Sequence, residues 1–454
     1  MANSADDEIS PVEGHGEVPP TSAEAVAPRW AKVLVILWGL VLLLPVPVFI
    51  LGYCCATTAL ASGEGGGNLT GGLGLVTALF VGAICGGGML WHGAASLRGK
   101  PSRPLRLPPA WALVGGFVVA MGTALGLARL RWVAPILAPW FIVAAAVLMP
   151  LAALVLAVDD RPERVTWRWA LVAFAAGATV STTLTLILGW LTPFFIVWEI
   201  LDLEEPIRRA AERFAALLAG REVARALTDP FFLLMMVQYA VLTPLIEEFA
   251  KSVVVLPLIR RVSRREAFLL GAAAGTGFAV LEDLVYALDA GSGWSGSLAV
   301  RALGAAVHPL CTGMAALAWH ALLQPDPESA DRATRWRLWA RLFGMALAAH
   351  GIWNGSILLW SALSGTPLFG VVQHTRVIGT GIAVGLLALL GVEGAAAAWG
   401  VRTMSRRLQG AEVAARRWAL PEMPEERAIA LWAVVCLIVL LPLGLALLRQ
   451  WWGR

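Results

Sequence analysis

The chain has 454 residues, of which 58% are apolar and only 15% charged, with a net charge of +4. A soluble protein of this length usually carries about 25% charged residues, so the composition excludes an ordinary water-soluble globule and places the chain in a membrane. The basic excess then belongs in cytoplasmic loops, not on a nucleic-acid-binding face, and no nucleic-acid partner is expected.

Residues 1–28 are acidic and Pro-rich, with neither a basic n-region nor a cleavage site, and read as a disordered cytoplasmic tail rather than a signal peptide. Residues 29–200 hold five expected transmembrane helices, in apolar runs near 33–53, 73–95, 110–128, 135–158 and 167–190. In the segment 201–230, Ile207, Ala211, Phe214 and Leu218 recur at helical spacing among Glu204, Glu205, Arg208, Arg209, Glu212 and Arg213. That pattern predicts an amphipathic helix on the external surface. Four spans follow within 231–361, near 231–259, 267–289, 298–323 and 338–361. Two more fall within 362–454, near 377–400 and 429–449. Because about 20 apolar residues cross a bilayer, the expected fold is an all-α, polytopic transmembrane helical bundle of about 11 spans.

The connecting charges set the orientation. Arg29 and Lys32 precede the first span; Arg98, Lys100, Arg103 and Arg106 follow the second; Arg161, Arg164 and Arg168 follow the fourth. Arginines cluster again after the sixth, eighth and tenth spans, at Arg260–Arg265, Arg332–Arg337 and Arg402–Arg417. All six clusters fall on one side, which predicts that side, and the N-terminus, to be cytoplasmic. Only Lys32, Lys100 and Lys251 among the 35 basic residues are lysines, and with the high Ala and Gly content this suggests a GC-rich, bacterial source and its inner membrane. The cysteines Cys54, Cys55, Cys85, Cys311 and Cys436 show no spaced metal motif and no disulfide framework.

Ionisable groups in the bilayer core cost several kcal/mol on most scales and need a reason. Here they concentrate in the sixth to ninth spans. The sixth carries Glu247, Glu248 and Lys251; Glu247 and Lys251 are spaced i,i+4 and can pair, which leaves one carboxylate without an obvious partner. Pro244, one turn earlier, can kink the helix and free backbone groups. In the seventh, Phe278, Glu282 and Tyr286 share a face, Gly271, Gly275 and Gly277 admit a close neighbour, and Asp283 points toward the outer interface. The eighth carries His308 and the ninth His350 and Asn354, again i,i+4. Counted from the cytoplasmic ends at about 1.5 Å per residue, Glu248, Glu282, His308 and His350 all lie roughly 18–22 Å deep. Four polar positions in one layer of successive helices can converge on one site. The plainer alternative for each is an interhelical hydrogen bond that only fixes packing.

These residues resemble the PrsW family of intramembrane proteases, grouped with the CAAX-prenyl-protease and bacteriocin-processing membrane peptidases. The matching pieces, in the family's order, are Glu247-Glu248-x-x-Lys251, Gly277-Phe278-Ala279-x-x-Glu282, His308 and His350-x-x-x-Asn354, within about 231–361. Where the family commonly has Asn, this chain has Asp283, which keeps an acceptor and adds a charge. The resemblance implies hydrolysis of a membrane-anchored protein substrate, such as an anti-sigma factor or a peptide precursor, at the lipid bilayer.

Peptide hydrolysis needs a water, a base and an oxyanion partner. Glu247 or Glu248 is expected to activate the water, and the resemblance favours the first. Lys251 would orient the other carboxylate, with Glu282 in the same layer, while His308, His350 and Asn354 position the water or bind the oxyanion. Two versions stay open: a zinc site held by His308, His350 and Glu248, or a metal-free glutamic protease. No HExxH is present, and the metal-free version is preferred. A proton-coupled transporter and a non-catalytic scaffold are the competing functions.

Overall fold

With no water in the hydrocarbon core, every backbone N–H and C=O of a spanning segment must be satisfied internally, so long apolar runs fold as helices. The computed structural model describes residues 29–61, 69–100, 102–130, 133–158, 166–191, 203–259, 262–323, 331–364 and 380–415. The expected tail at 1–28 and the expected span at 429–449 lie outside the described residues. Among those described there is no strand, only an isolated bridge between Pro104 and Thr166.

In chain order the helices are α1 (Arg29–Leu43), α2 (Val46–Ala61), α3 (Leu69–Leu97), α4 (Ala110–Leu127), α5 (Ala134–Val158) and α6 (Trp167–Gly189). Next come α7 (Glu204–Ala219), α8 (Val223–Leu227), α9 (Pro230–Val237) and α10 (Thr243–Ile259). The last are α11 (Arg264–Asp289), α12 (Trp294–Leu303), α13 (Val307–Leu323), α14 (Arg332–Ser364) and α15 (Thr380–Ala415). Among the described residues, 8 helices are long and apolar enough to cross a membrane, or 9 if the bent pair α12–α13 counts as one span. The all-α polytopic bundle is therefore present, but among the described residues the count of about eleven is not reached. The expected first span is divided into α1 and α2 at Leu44–Pro45, where proline has no N–H to continue the ladder.

The expected eighth span is also divided. Its two halves, bent by 44°, meet at 304–306. Pro309 supplies the cause: it cannot donate to the Ala305 carbonyl and its ring crowds that carbonyl, so the helix breaks just before His308. Gly304 lies at the bend, against the buried ring of Trp353 on α14.

Helix α11 is the axis of the bundle: 83% of its apolar window is buried, against 17–56% for the other spans. Its N-terminus is set by a capping box, in which the Glu266 N–H donates to Ser263 Oγ (3.3 Å) and the Ser263 N–H donates to Glu266 Oε2 (2.7 Å). The seam between α11 and α13 runs along Gly271 and Gly275: a Cβ at Gly271 would stand 2.5 Å from the Thr312 carbonyl oxygen, and one at Gly275 would strike the His308 carbonyl. These glycines are packing positions, as in other closely approaching membrane helices, and they bring the backbone of His308 against α11.

The amphipathic helix α7 lays Ile207, Ala211, Phe214 and Leu218 on Phe231 and Phe232 of α9 and Ala362 of α14. Arg213 donates to Asp229 (Nε 2.9 Å, Nη2 3.3 Å), and Asp229 caps α9 by accepting from the Phe231 N–H at 2.8 Å. The Arg213 hydrogen bonds hold the Asp229 carboxyl below its usual value. A depressed carboxyl stabilises the fold above its unfolded pKa and loses that contribution as pH falls through the folded value. Asp229→Ala is expected to cost about 0.5–2 kcal/mol through the lost cap. Thermal unfolding in detergent should show that difference constant above about pH 5 and shrinking below about pH 4. A difference independent of pH would leave only the cap.

Candidate active site

The polar residues of α10 follow a π-turn, Gln238–Leu242. Such turns release backbone groups and recur at functional sites. Pro244 cannot donate to the Ala240 carbonyl, which here faces Gly351 of α14. Asn354, one turn further along α14, donates from Nδ2 to the Tyr239 carbonyl at 3.1 Å. The π-turn thus fixes the start of α10 to α14, about two turns before Glu247 and one turn from His350.

Lys251 is the centre of the site and is fully buried. Its ammonium donates to Glu247 Oε2 (2.8 Å), Glu248 Oε1 (3.0 Å) and His308 Nδ1 (2.9 Å). Three donors meet three acceptors, so the ammonium is saturated; the face of Phe278, 3.9 Å from Nζ to ring centroid, covers it. The second carboxylate is therefore not left over, as helical spacing alone implies. Lys251 reaches Glu247 at i,i+4 and Glu248 at i,i+3 together.

The two adjacent glutamates have different surroundings. Glu248 accepts from Lys251, from His350 Nδ1 at 2.9 Å and, through Oε2, from the Thr312 hydroxyl at 2.9 Å. Among the described residues Glu247 accepts a hydrogen bond from Lys251 alone, and its Oε2 stands 3.6 Å from His350 Nε2.

Donor and acceptor roles on the imidazoles follow from their partners. An ammonium only donates, so His308 Nδ1 accepts and its proton sits on Nε2, which faces Glu282 Oε2 at 2.8 Å. A carboxylate only accepts, so His350 carries its proton on Nδ1 toward Glu248. His350 Nε2 is then a buried acceptor with no hydrogen-bond partner. The two rings stand edge to face, 4.8 Å between centroids.

Six of the seven expected residues, Glu247, Glu248, Lys251, Glu282, His308 and His350, thus form one connected cluster on four helices. Asn354 lies beside it on the His350 face and bonds backbone instead. Asp283, expected near the outer interface, is buried and bonded by Arg301 Nε at 2.5 Å. Arg301 and Thr312 enter from outside the expected set. Arg301 stands at the head of an apolar run and reads as an interface charge until the break at 304–306 is known; Thr312 carries no sequence signal at all. His320, by contrast, bonds the Val262 carbonyl at 2.9 Å, far from the cluster.

The ligand atoms of Glu247, His308 and His350 lie within 4.8 Å of one another, a set able in kind to hold a divalent metal. Glu248 stands in for Glu247 in the set expected from sequence, but both of its oxygens are already engaged. The free acceptor on His350 suits a metal. The position of Lys251 does not: zinc bonded to Glu247 and His308 Nδ1 needs distances of about 2.0–2.2 Å, and the ammonium already bridges those two atoms at 2.8 and 2.9 Å. A second cation there would meet strong repulsion. In this arrangement Lys251 already supplies a cation to Glu247 and to His308 Nδ1.

Residues 165–387 match a family model described as PrsW family intramembrane metalloprotease, and the matched stretch contains the whole cluster. No curated protein and no solved structure matches the chain.

Proposed function

We propose that the chain is a PrsW-like intramembrane endopeptidase, a reading that the family match over residues 165–387 and the long apolar helices support, and that it is a metal-free glutamic protease in which Glu247 is the base. The supporting observation is the pair of acceptors, Glu247 Oε2 and His350 Nε2, 3.6 Å apart, the second of them buried without a partner. A water donating one hydrogen to each turns its lone pair outward, toward the carbonyl of a bound peptide.

In the reaction, water oxygen bonds to the carbonyl carbon and its proton passes to Glu247. The tetrahedral intermediate then collapses, the C–N bond breaks, and Glu247 returns the proton to the leaving amine. Glu248 holds His350 and Lys251 in place and takes no proton. Asn354 has one Nδ2 hydrogen committed to the Tyr239 carbonyl; the other, on the face shared with His350, is the oxyanion donor. The substrate is a membrane-anchored protein that unwinds locally to offer its backbone. The arginine-rich connectors face the cytoplasm of a bacterial inner membrane, with the N-terminus inside.

The test is cleavage of single-span membrane proteins by the detergent-purified chain, with and without a chelator, followed by mass spectrometry of the products and metal analysis. Cleavage unchanged by the chelator, with metal far below one per chain, is the expected result. Near-stoichiometric zinc that disappears together with activity in His308→Ala would overturn the metal-free mechanism. Proton-coupled uptake in vesicles without any cleavage would replace the protease by a carrier.

A further inference from the structure

Arg301 is a cluster member to which the proposed hydrolysis gives no part, and its side chain is largely buried within the bent pair α12–α13. A guanidinium at such a place needs partners on every edge. Nε donates to Asp283 Oδ1 and Nη2 to Glu282 Oε2, both at 2.5 Å, while the plane lies 4.8 Å from the Tyr286 ring centroid. Nη2 also passes 3.4 Å from His308 Nε2; since that nitrogen carries the proton, this is a contact and not a donated bond. The side chains of Arg301 and Glu282 are 10% and 16% exposed, against 0% for Lys251 and Glu248, so the pair forms the outer edge of the cluster.

We infer that Arg301 is a positioning residue: it holds the Glu282 carboxylate against His308 Nε2–H, which turns His308 Nδ1 to Lys251. The inference rests on the proteolytic function proposed above. Three features carry it. First, two neighbouring guanidinium donors, Nε and Nη2, engage two successive carboxylates of α11, a geometry that a point charge cannot reproduce. Second, Glu282 Oε2 is shared by Arg301 and His308, so its location is set by the arginine and read by the histidine. Third, Arg301 and His308 stand on opposite sides of the break at 304–306, and Glu282 bonds both. The arginine therefore fixes the half-helix α12 relative to the His308 end of α13, and Asp283 holds the guanidinium through Nε.

The chain of contacts runs Asp283, Arg301, Glu282, His308, Lys251, Glu247. Loss of the fork frees Glu282 and lets the His308 ring reorient or change tautomer. Lys251 then loses one of its three acceptors and Glu247 its fixed place.

The experiment compares wild type, Arg301→Lys and Arg301→Gln in detergent, reading folded fraction by thermal unfolding, kcat and KM by cleavage of a single-span substrate, and the His308 ring by ¹⁵N-histidine NMR with His308→Gln for assignment. In Arg301→Gln, kcat corrected for folded fraction should fall about 100-fold with KM changed less than about threefold. Arg301→Lys should recover part of that loss, about tenfold, because one ammonium cannot hold both carboxylates. The His308 signal should be the Nε2–H tautomer in wild type and mixed in Arg301→Gln. Unchanged kcat in both variants, or a fall explained wholly by unfolding with the tautomer retained, would overturn the inference while leaving the protease intact. If Arg301→Gln does not fold, the kcat and tautomer of Arg301→Lys decide alone, and wild-type values for both overturn it. If wild type cleaves nothing and no histidine tautomer is altered, the inference falls with the protease.

Discussion

Glu247→Gln is expected to lower kcat by about 10³-fold while the protein still folds. Glutamine is nearly isosteric and keeps an oxygen that accepts from Lys251, so the cluster retains its shape. What it loses is the ability to take a proton from water and return it to the leaving amine. Glu248→Gln should behave differently. It alters a group that receives hydrogen bonds from Lys251, His350 and Thr312, so its first consequence is lower thermal stability, with activity falling as His350 loses its orientation. Steady-state cleavage and thermal unfolding of the two variants separate these cases. An active Glu247→Gln beside a folded but dead Glu248→Gln would exchange the roles of the two residues.

Lys251→Met should be the most destabilising single change in the site. The lysine is a buried cation shared by two carboxylates and an imidazole, and removing one partner of such a set leaves the others uncompensated, at a cost of about 3–5 kcal/mol. The apolar replacement fills similar volume, so the loss comes from charge and not from a cavity. Adding Glu248→Gln to Lys251→Met should restore part of the stability, since the two changes act on one network. Denaturant unfolding in a fixed detergent measures both. A Lys251→Met protein that keeps wild-type stability and acquires one zinc per chain would mean that Glu247, His308 and His350 form a metal site that the lysine only covers.

Much of the site was visible in the sequence because intramembrane charge is rare. Glu247, Glu248, Lys251, Glu282, His308 and His350 stand out from uniformly apolar runs, and their common depth already pointed to one layer. Arg301 was missed, and Asp283 was placed at the outer interface, for one reason: each lies toward the end of an apolar run, where a charge is cheap if the run ends at the membrane surface. Only the bonds from Arg301 on α12 to both carboxylates of α11 show that the two belong to the cluster. The spans divided at Pro45 and Pro309 were likewise counted whole, because mean hydropathy does not register a missing N–H.

The sequence by itself determined the membrane class, the helical architecture and the identity of most costly polar residues. Each follows from a property summed along the chain, and burial of apolar side chains in lipid is such a sum. The tertiary structure alone decided that Glu248 accepts three hydrogen bonds and Glu247 one, and that Lys251 joins both glutamates to His308. Those outcomes depend on hydrogen-bond valence, and the valences of this site are filled between helices distant in sequence, His350 bonding Glu248 across 102 residues and Thr312 bonding it across 64. Hydrophobicity adds up locally, whereas donors and acceptors must be matched one to one in space.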